Sequence, residues 1–279
     1  MPATSHLSRH ASELGAWELV RRAPHPRLGA HVRGYCGYVE KTGRPLRRRE
    51  LPSGDIVVIL GFGPSIRVDE RPRSSFVAGL HDEHALTEHD GVQHGLQVNL
   101  TPLGAFRLFG PPERGSPGQV VDLEDVLGRE APLLVEQVFQ ENGWEARFAL
   151  LDCLLSKRLA DRLPASPDVA WAWRRLTETD GRVRIGELTE ELRCSHRHLT
   201  TRFREQVGLA PKAFAQILRF DRAVRRLRCE GGGSLTQIAH ECGYYDQAHF
   251  NRDFRRFAGS TPTALLARAL PDGAGFSRS

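Results

Sequence analysis

The sequence predicts an α+β chain of two domains, the first rich in β-strand and the second wholly helical. Three observations predict it. From Leu28 to about Leu100, short β-branched and aromatic runs are separated by Gly, Pro and Asp turns. Beyond Thr101 the apolar residues recur every three to four positions, the period of an amphipathic helix. Near the C-terminus one pattern occurs twice: Phe203 and Phe254, Gly208 and Gly259, and Pro211 and Pro262 each lie 51 residues apart. A repeat of that kind marks two copies of one small helical unit.

The elements follow in order. HVRGYCGYVE, DIVVILGF, SIRVDE, SSFVAGL and GLQVNL read as strands. LEDVLGREAPLLVEQVFQ and WEARFALLDCLLSKRLADRL read as two amphipathic helices. Pro164, Ala165, Ser166 and Pro167 then interrupt the pattern, because proline resists continuation of a helix. This sets a β-rich domain with two closing helices at 1–164 and a helical domain at 168–270. In the latter, DVAWAWRRLTET, RIGELTEELR and SHRHLTTRFREQV are successive helices, with Leu192 to Cys194 as the turn of a helix-turn-helix. PKAFAQILRFDRAVRRLRCE is a long connecting helix ending at Gly231 to Gly233. SLTQIAHEC and GYYDQAHFNRDFRRFAG repeat the helix-turn-helix, and TALLARAL closes the domain.

Composition narrows the function classes. The 279 residues are 40% hydrophobic and 26% charged, ordinary for a globular chain. The longest apolar run, Ile56 to Leu60, is too short to span a bilayer, and the N-terminus lacks the apolar stretch of a signal peptide, so a cytoplasmic protein without membrane contact is expected. Five scattered cysteines without CxxC spacing fit a reducing compartment and argue against a thiolate zinc site. Residues 1–165 carry a net charge of −1 and residues 166–279 a net +6, so the repeated half is the basic half. A basic domain attracts polyanions, most commonly nucleic acid.

The repeated unit supplies the matching chemistry. A major groove admits one helix, whose buried face sets its angle while its exposed face reads base edges. In the second unit Phe250 and Phe254 are the buried pair, leaving Gln247, Ala248, Asn251 and Arg252 outward. Gln and Asn pair bidentately with adenine and Arg with guanine. In the first unit Leu199 and Phe203 are buried and Arg197, Thr200 and Thr201 face out, a face poorer in bidentate donors. Arg202, Arg204, Arg255 and Arg256 flank the helices and suit phosphates, which position a protein without reading sequence.

SHRHLTTRFREQVGLAPKAF, LRFDRAVRRL and above all IAHECGYYDQAHFNRDFRRFAGSTP resemble the DNA-binding domain of AraC/XylS-type bacterial transcription regulators over roughly the last third of the chain. The third string carries the family's signature positions at Gly243, Phe250, Arg252, Phe254, Gly259 and Pro262. The resemblance implies two recognition helices entering successive major grooves of double-stranded DNA, with the base-facing residues named above. Thr201 stands where the family often has Arg, and Ala248 where it often has a small hydroxyl residue. It also implies an N-terminal cupin-like barrel that binds a small effector or dimerises, a homodimer, and an activator that recruits RNA polymerase. ELPSGDIVVILGF, FVAGL and GLQVNLTPLGAFRLFG match such domains more weakly.

Two other readings of the N-terminal half stay open. It could be a metal-dependent cupin-like enzyme with the DNA-binding module appended, or a module that only dimerises. His81, Asp82, Glu83 and His84, with His89 and His94 nearby, raise the first. The HxH and downstream Glu pattern is absent, however, so the segment reads as an exposed polar loop, and no metal, cofactor or catalytic residue is expected. ELPSGD likewise lacks a nucleophile elbow. RPLRRR (44–49) reads as a solvated loop. Leu133, Leu134, Val138, Leu150, Leu151, Leu154 and Leu155 either pair two subunits or cover the barrel.

Overall fold

Strand alternation in the N-terminal half buries both faces of one large sheet, with helices on one side and a smaller sheet on the other. A computed structural model describes residues 4–111, 118–229, 234–270 and 276–277. In chain order its first half comprises β1 (His6–Ser12), β2 (Gly15–Arg22), a 3-10 turn at Pro26–Leu28, β3 (Val32–Thr42), β4 (Leu46–Glu50), β5 (Ile56–Gly61), β6 (Ile66–Val68), β7 (Arg71–Arg73), β8 (Phe76–Ala78), β9 (Ala85–His89) and β10 (Val92–Leu100). There follow α1 (Pro102–Phe109), β11 (Val120–Asp122), α2 (Leu123–Leu127), α3 (Glu130–Gln140) and α4 (Trp144–Ala160).

The barrel expectation is wrong. The strands form two open antiparallel sheets, ordered β1-β2-β3-β10-β5-β8-β11 and β4-β9-β6-β7, the second extended at the β4 edge by a two-residue strand, β12 (Phe276–Ser277). Closure needs every strand to have two neighbours. Here β1, β11, β7 and β12 each have one, and β6, β7, β8 and β11 are only three residues long, too short to carry a ladder around a corner. Side chains, not hydrogen-bonded strands, join the sheets.

Period-two alternation explains both faces. Val58, Leu60, Leu96, Val98 and Tyr35 point to one side and pack with Leu103, Phe148 and Leu151 of the helices. Trp144 lies so close over Gly37 that an added Cβ would stand 2.3 Å from its ring. On the other side Ile59 packs with Phe76 and, from the smaller sheet, Val68. Beside them Arg48 holds the Glu40 carboxylate with two hydrogen bonds of 3.1 and 2.6 Å, and His89 Nε2 lies 3.3 Å from Glu40. All three residues are buried. Burial pushes the Glu40 carboxyl up, but His89 and Arg48 more than offset it and hold it below the usual range.

Other expectations also change. RPLRRR is not a solvated loop, since most of it is β4, with Arg48 inside and Arg47 paired to Glu88 at 2.8 Å. His89 belongs to β9 and is buried, while His81 to His84 remain in a loop. The helix read across 123–140 breaks at Gly128, whose φ of 57° ends α2. Val138 and Leu151 are fully covered, whereas Leu133 is 63% exposed.

The second half comprises α5 (Pro167–Glu178), α6 (Ile185–Glu191), α7 (His196–Val207), α8 (Pro211–Arg228), α9 (Leu235–Glu241), α10 (Gln247–Ala258) and α11 (Pro262–Leu266). The glycines at 231–233, read as the stop of the connecting helix, lie outside the described residues; α8 ends at Arg228. Among the described residues no helix is long and apolar enough to cross a membrane.

Arg48→Met leaves Glu40 charged, buried and without its fork, and is expected to cost about 3–5 kcal/mol in urea unfolding followed by circular dichroism. Adding Glu40→Leu should return most of that loss, because both desolvation penalties then disappear.

Candidate nucleic-acid interface

Each repeat is built by the same local rules. In the first, Ser195 Oγ accepts from His198 N at 3.2 Å and starts α7; in the second, Asp246 Oδ1 accepts from His249 N at 2.7 Å and starts α10. Gly208 and Gly259 end these helices in the left-handed region, at φ 98° and 62°, each donating its N–H to a carbonyl four residues back at 3.0 Å. Pro211 and Pro262 then open α8 and α11, where a missing N–H costs nothing. The sequence repeat is therefore a repeat of helix stops and starts.

Burial fixes the orientation of both helices. Leu199, Phe203, Phe250 and Phe254 are wholly buried. The helix α8 enters both clusters: Phe214 lies 5.9 Å from Phe203, and Phe220 lies 4.9 Å from Phe254 and 5.0 Å from Phe257. At 1.5 Å per residue its 18 residues span about 27 Å.

Of the residues read as base-facing, Arg197, Thr201, Gln247, Ala248 and Arg252 are exposed, and Thr200 and Asn251 are half-buried. Gln247 Oε1 accepts from Thr236 Oγ1 at 3.0 Å, which orients the amide and leaves its N–H groups and one lone pair available. Of the four arginines read as phosphate contacts, Arg204, Arg255 and Arg256 are exposed. Arg202 is half-buried; burial pushes the Asp168 carboxyl of α5 up, but hydrogen bonds from Ser166 and the Val169 backbone, together with the Arg202 charge, hold it below the usual range. Arg204 lines, with Thr201, a cleft between α7 and α1. Arg256 is bonded to Asp82 of the N-terminal half.

That last contact is one of several across the molecule. Arg49 of β4 donates to the Ala258 carbonyl at the end of α10, and the His84 ring lies against Gly259. Phe276 of β12 pairs with Arg49, while the Arg228 guanidinium sits 4.4 Å from its ring centroid. Within the 81–84 segment, Asp82 is thus taken by Arg256 and the His84 ring packs on Gly259. Among the described residues no group of three or more His, Cys, Asp or Glu could hold a metal ion.

Sequence reasoning missed two residues. The turn before α10 is one residue longer than the turn before α7: Arg193 (φ 50°) and Cys194 lead directly to the cap Ser195, whereas Gly243 (φ 80°) and Tyr244 are followed by Tyr245 before Asp246. Tyr245 is 92% exposed beside the reading face. Only alignment of the two turns by their hydrogen bonds reveals it, Cys194 N to Thr189 O and Tyr244 N to Ala239 O. Asp253 is buried within α10, with His249 Nε2 at 3.9 Å from its carboxylate. Its signal was present, since 250, 253, 254 and 257 follow the inward helical spacing. Burial pushes the Asp253 carboxyl up against the pull of His249, Arg219, Arg256 and Arg252.

Comparison with known proteins agrees with this geometry. A family model described as a helix-turn-helix domain matches residues 188–268. That stretch is a helix-turn-helix domain, and it is similar to the corresponding part of AraC-like transcription regulators. Similar relatives include the HTH-type transcriptional activator RhaS of Pectobacterium carotovorum, 32% identical over 88 residues, covering 32% of this chain and 31% of that protein. A putative AraC-like transcription regulator of Streptomyces lividans is 32% identical over 78 residues, covering 28% of this chain and 25% of that protein. The matched stretch thus spans about a third or less of these relatives' own length. Among solved structures, ToxT of Vibrio cholerae aligns over 96% of this chain and 98% of its own, with 12% identity and a TM-score of 0.48.

A raised carboxyl favours the folded state while protonated, so this contribution is full at low pH and is lost as pH rises through the raised value. Asp253→Asn is therefore expected to raise the thermal midpoint at neutral pH, with a gain that fades as pH falls toward the ordinary carboxylate range. Calorimetric scans at several pH values check it.

Proposed function

We propose that the chain is a sequence-specific DNA-binding transcription regulator, an activator controlled through its N-terminal half. One observation carries this reading: two capped helices, α7 and α10, are fixed by one shared helix with polar faces open to solvent. Arg197, Thr200 and Thr201 read one major groove, and Gln247, Ala248, Asn251 and Arg252 the next. Successive grooves recur about every 34 Å along one face of the duplex, a spacing of the same order as the length of α8. Arg202, Arg204, Arg255 and Arg256 belong to the phosphate set.

Domains at 1–164 and 168–270 divide input from output in this reading. The contacts of Asp82, His84 and Arg49 with the end of α10 support such a division, because they give the N-terminal half a direct hold on a reading helix. Cytoplasmic residence, a homodimer, a small effector and recruitment of RNA polymerase complete the proposal.

Selection of duplex DNA by the full chain, with binding then measured on selected and random duplexes, tests it. A motif of two blocks about one helical turn apart is expected, and failure to enrich any motif from the full chain or from residues 168–270 would overturn the reading. Arg252→Ala should lose roughly 1–3 kcal/mol on the selected site and relax one or two base preferences; equal losses on selected and random DNA would remove its base-reading role. Arg255→Ala should weaken both sequences alike and reduce the salt slope by about 1.

A further inference from the structure

A pocket of about 470 Å³ opens on the N-terminal half, bounded by the turn at Pro26–Leu28, the end of α1 and the last turns of α4. Leu28, Leu159 and Ala160 give it an apolar wall. Arg27 and Arg107 are among the residues of its polar wall.

Arg107 is held in place by neutral groups. Its Nε donates to the Arg162 carbonyl at 3.1 Å, and its Nη1 lies 3.2 Å from His31 Nε2. Guanidinium has donors only, so His31 Nε2 must accept and the ring proton sits on Nδ1, leaving the imidazole neutral. Burial and then the Arg107 charge keep His31 below its ordinary range, in accord with that tautomer. Among the described residues no carboxylate lies within ion-pair distance of Arg107 or of the exposed Arg27. Asp152 is the acid in the wall, and its oxygens are already taken by Arg22, by His25 N at 2.9 Å and by Tyr35 Oη at 2.9 Å. The pocket therefore combines two uncompensated cations, one of them pre-oriented, with a neutralised acid and an apolar wall. Such a set is complementary to an anion on a compact apolar body.

We propose that this pocket binds a small organic anion, a carboxylate or a phosphate monoester. The Arg107 to Arg162 bond gives such a ligand a mechanical consequence. Arg162 lies in the short passage between α4 and α5, so an anion that draws the Arg107 guanidinium toward itself acts directly on the chain entering the helical half. That regulatory meaning rests on the reading of the N-terminal half as the controlling half; the binding itself does not.

Calorimetric titration of the full chain with inorganic phosphate and, separately, with butyrate tests the proposal, the two arms distinguishing phosphate from carboxylate. Saturable binding of either probe is expected, weakened about tenfold or more by Arg27→Gln and by Arg107→Gln, a loss of about 1.4 kcal/mol. Among the described residues Arg27 has no side-chain hydrogen-bond or ion-pair partner, so its variant keeps the test valid if Arg107→Gln unfolds. Combined Arg252→Ala and Arg255→Ala should leave the titration unchanged, which separates this pocket from anions collected on the DNA-facing helices. No saturable heat from either probe, or binding indifferent to both pocket variants, overturns the proposal. Binding at the pocket that leaves affinity for the selected duplex unchanged would instead keep the site and defeat the reading of anion control.

Discussion

Both reading helices depend on one packing constraint, the insertion of α8 into two phenylalanine clusters. Phe214 closes the first against Phe203, and Phe220 closes the second against Phe254 and Phe257. A close-packed core transmits small displacements because voids are costly to open. The relative placement of the two exposed faces is thus set by side chains that touch no ligand. Gln206 adds a polar tie: its amide binds Ser166 N at 2.8 Å, which fixes the end of α7 to the start of α5. The linker and the first reading helix meet there.

The N-terminal half solves a different problem. Two open sheets have edges and an interior that must be satisfied, and the interior holds charge. Glu40, Arg48 and His89 form a buried polar centre whose value depends on every member being present. Next to it, apolar contacts among Ile59, Val68 and Phe76 bring the sheets together. The β4 edge is occupied by Phe276 and Ser277, so the end of the chain is joined to its first half by strand pairing. Elsewhere, burial with Asp221 of α8 opposite pushes Asp55 up to about 6, despite Arg33 at 3.7 Å. Carboxylates of both halves thus share one environment.

Much of the helical half was legible because its information is local. N-caps, left-handed glycines, helix-opening prolines and inward spacing are short-range features, so Ser195, Gly208, Pro211, Leu199 and Phe203 announce themselves, and the second copy repeats them. The inward position of Asp253 was legible too, once its spacing is set above its polarity. The inserted Tyr245 was not, because a one-residue offset in a turn leaves the helical repeat intact. Long strands such as β3, β5 and β10 were readable from alternation, whereas β4 and β9 were mistaken for loops. Three successive arginines fill β4, β9 mixes Thr, Glu and His, and nothing in the chain nearby says that Glu40 waits opposite.

By itself the sequence determined the helix-turn-helix pair, its caps, its buried aromatic faces and its polar outer faces, since each follows from backbone preferences and periodicity within a dozen residues. Tertiary structure alone decided that the strands stay as two open sheets, that Arg48 is interior, that Arg256 is held by Asp82 and that Arg107 faces a pocket whose acid, Asp152, is already paired. Those outcomes depend on which residues distant in the chain arrive at the same place, and on whether a charge finds its partner there or is left for a ligand to meet.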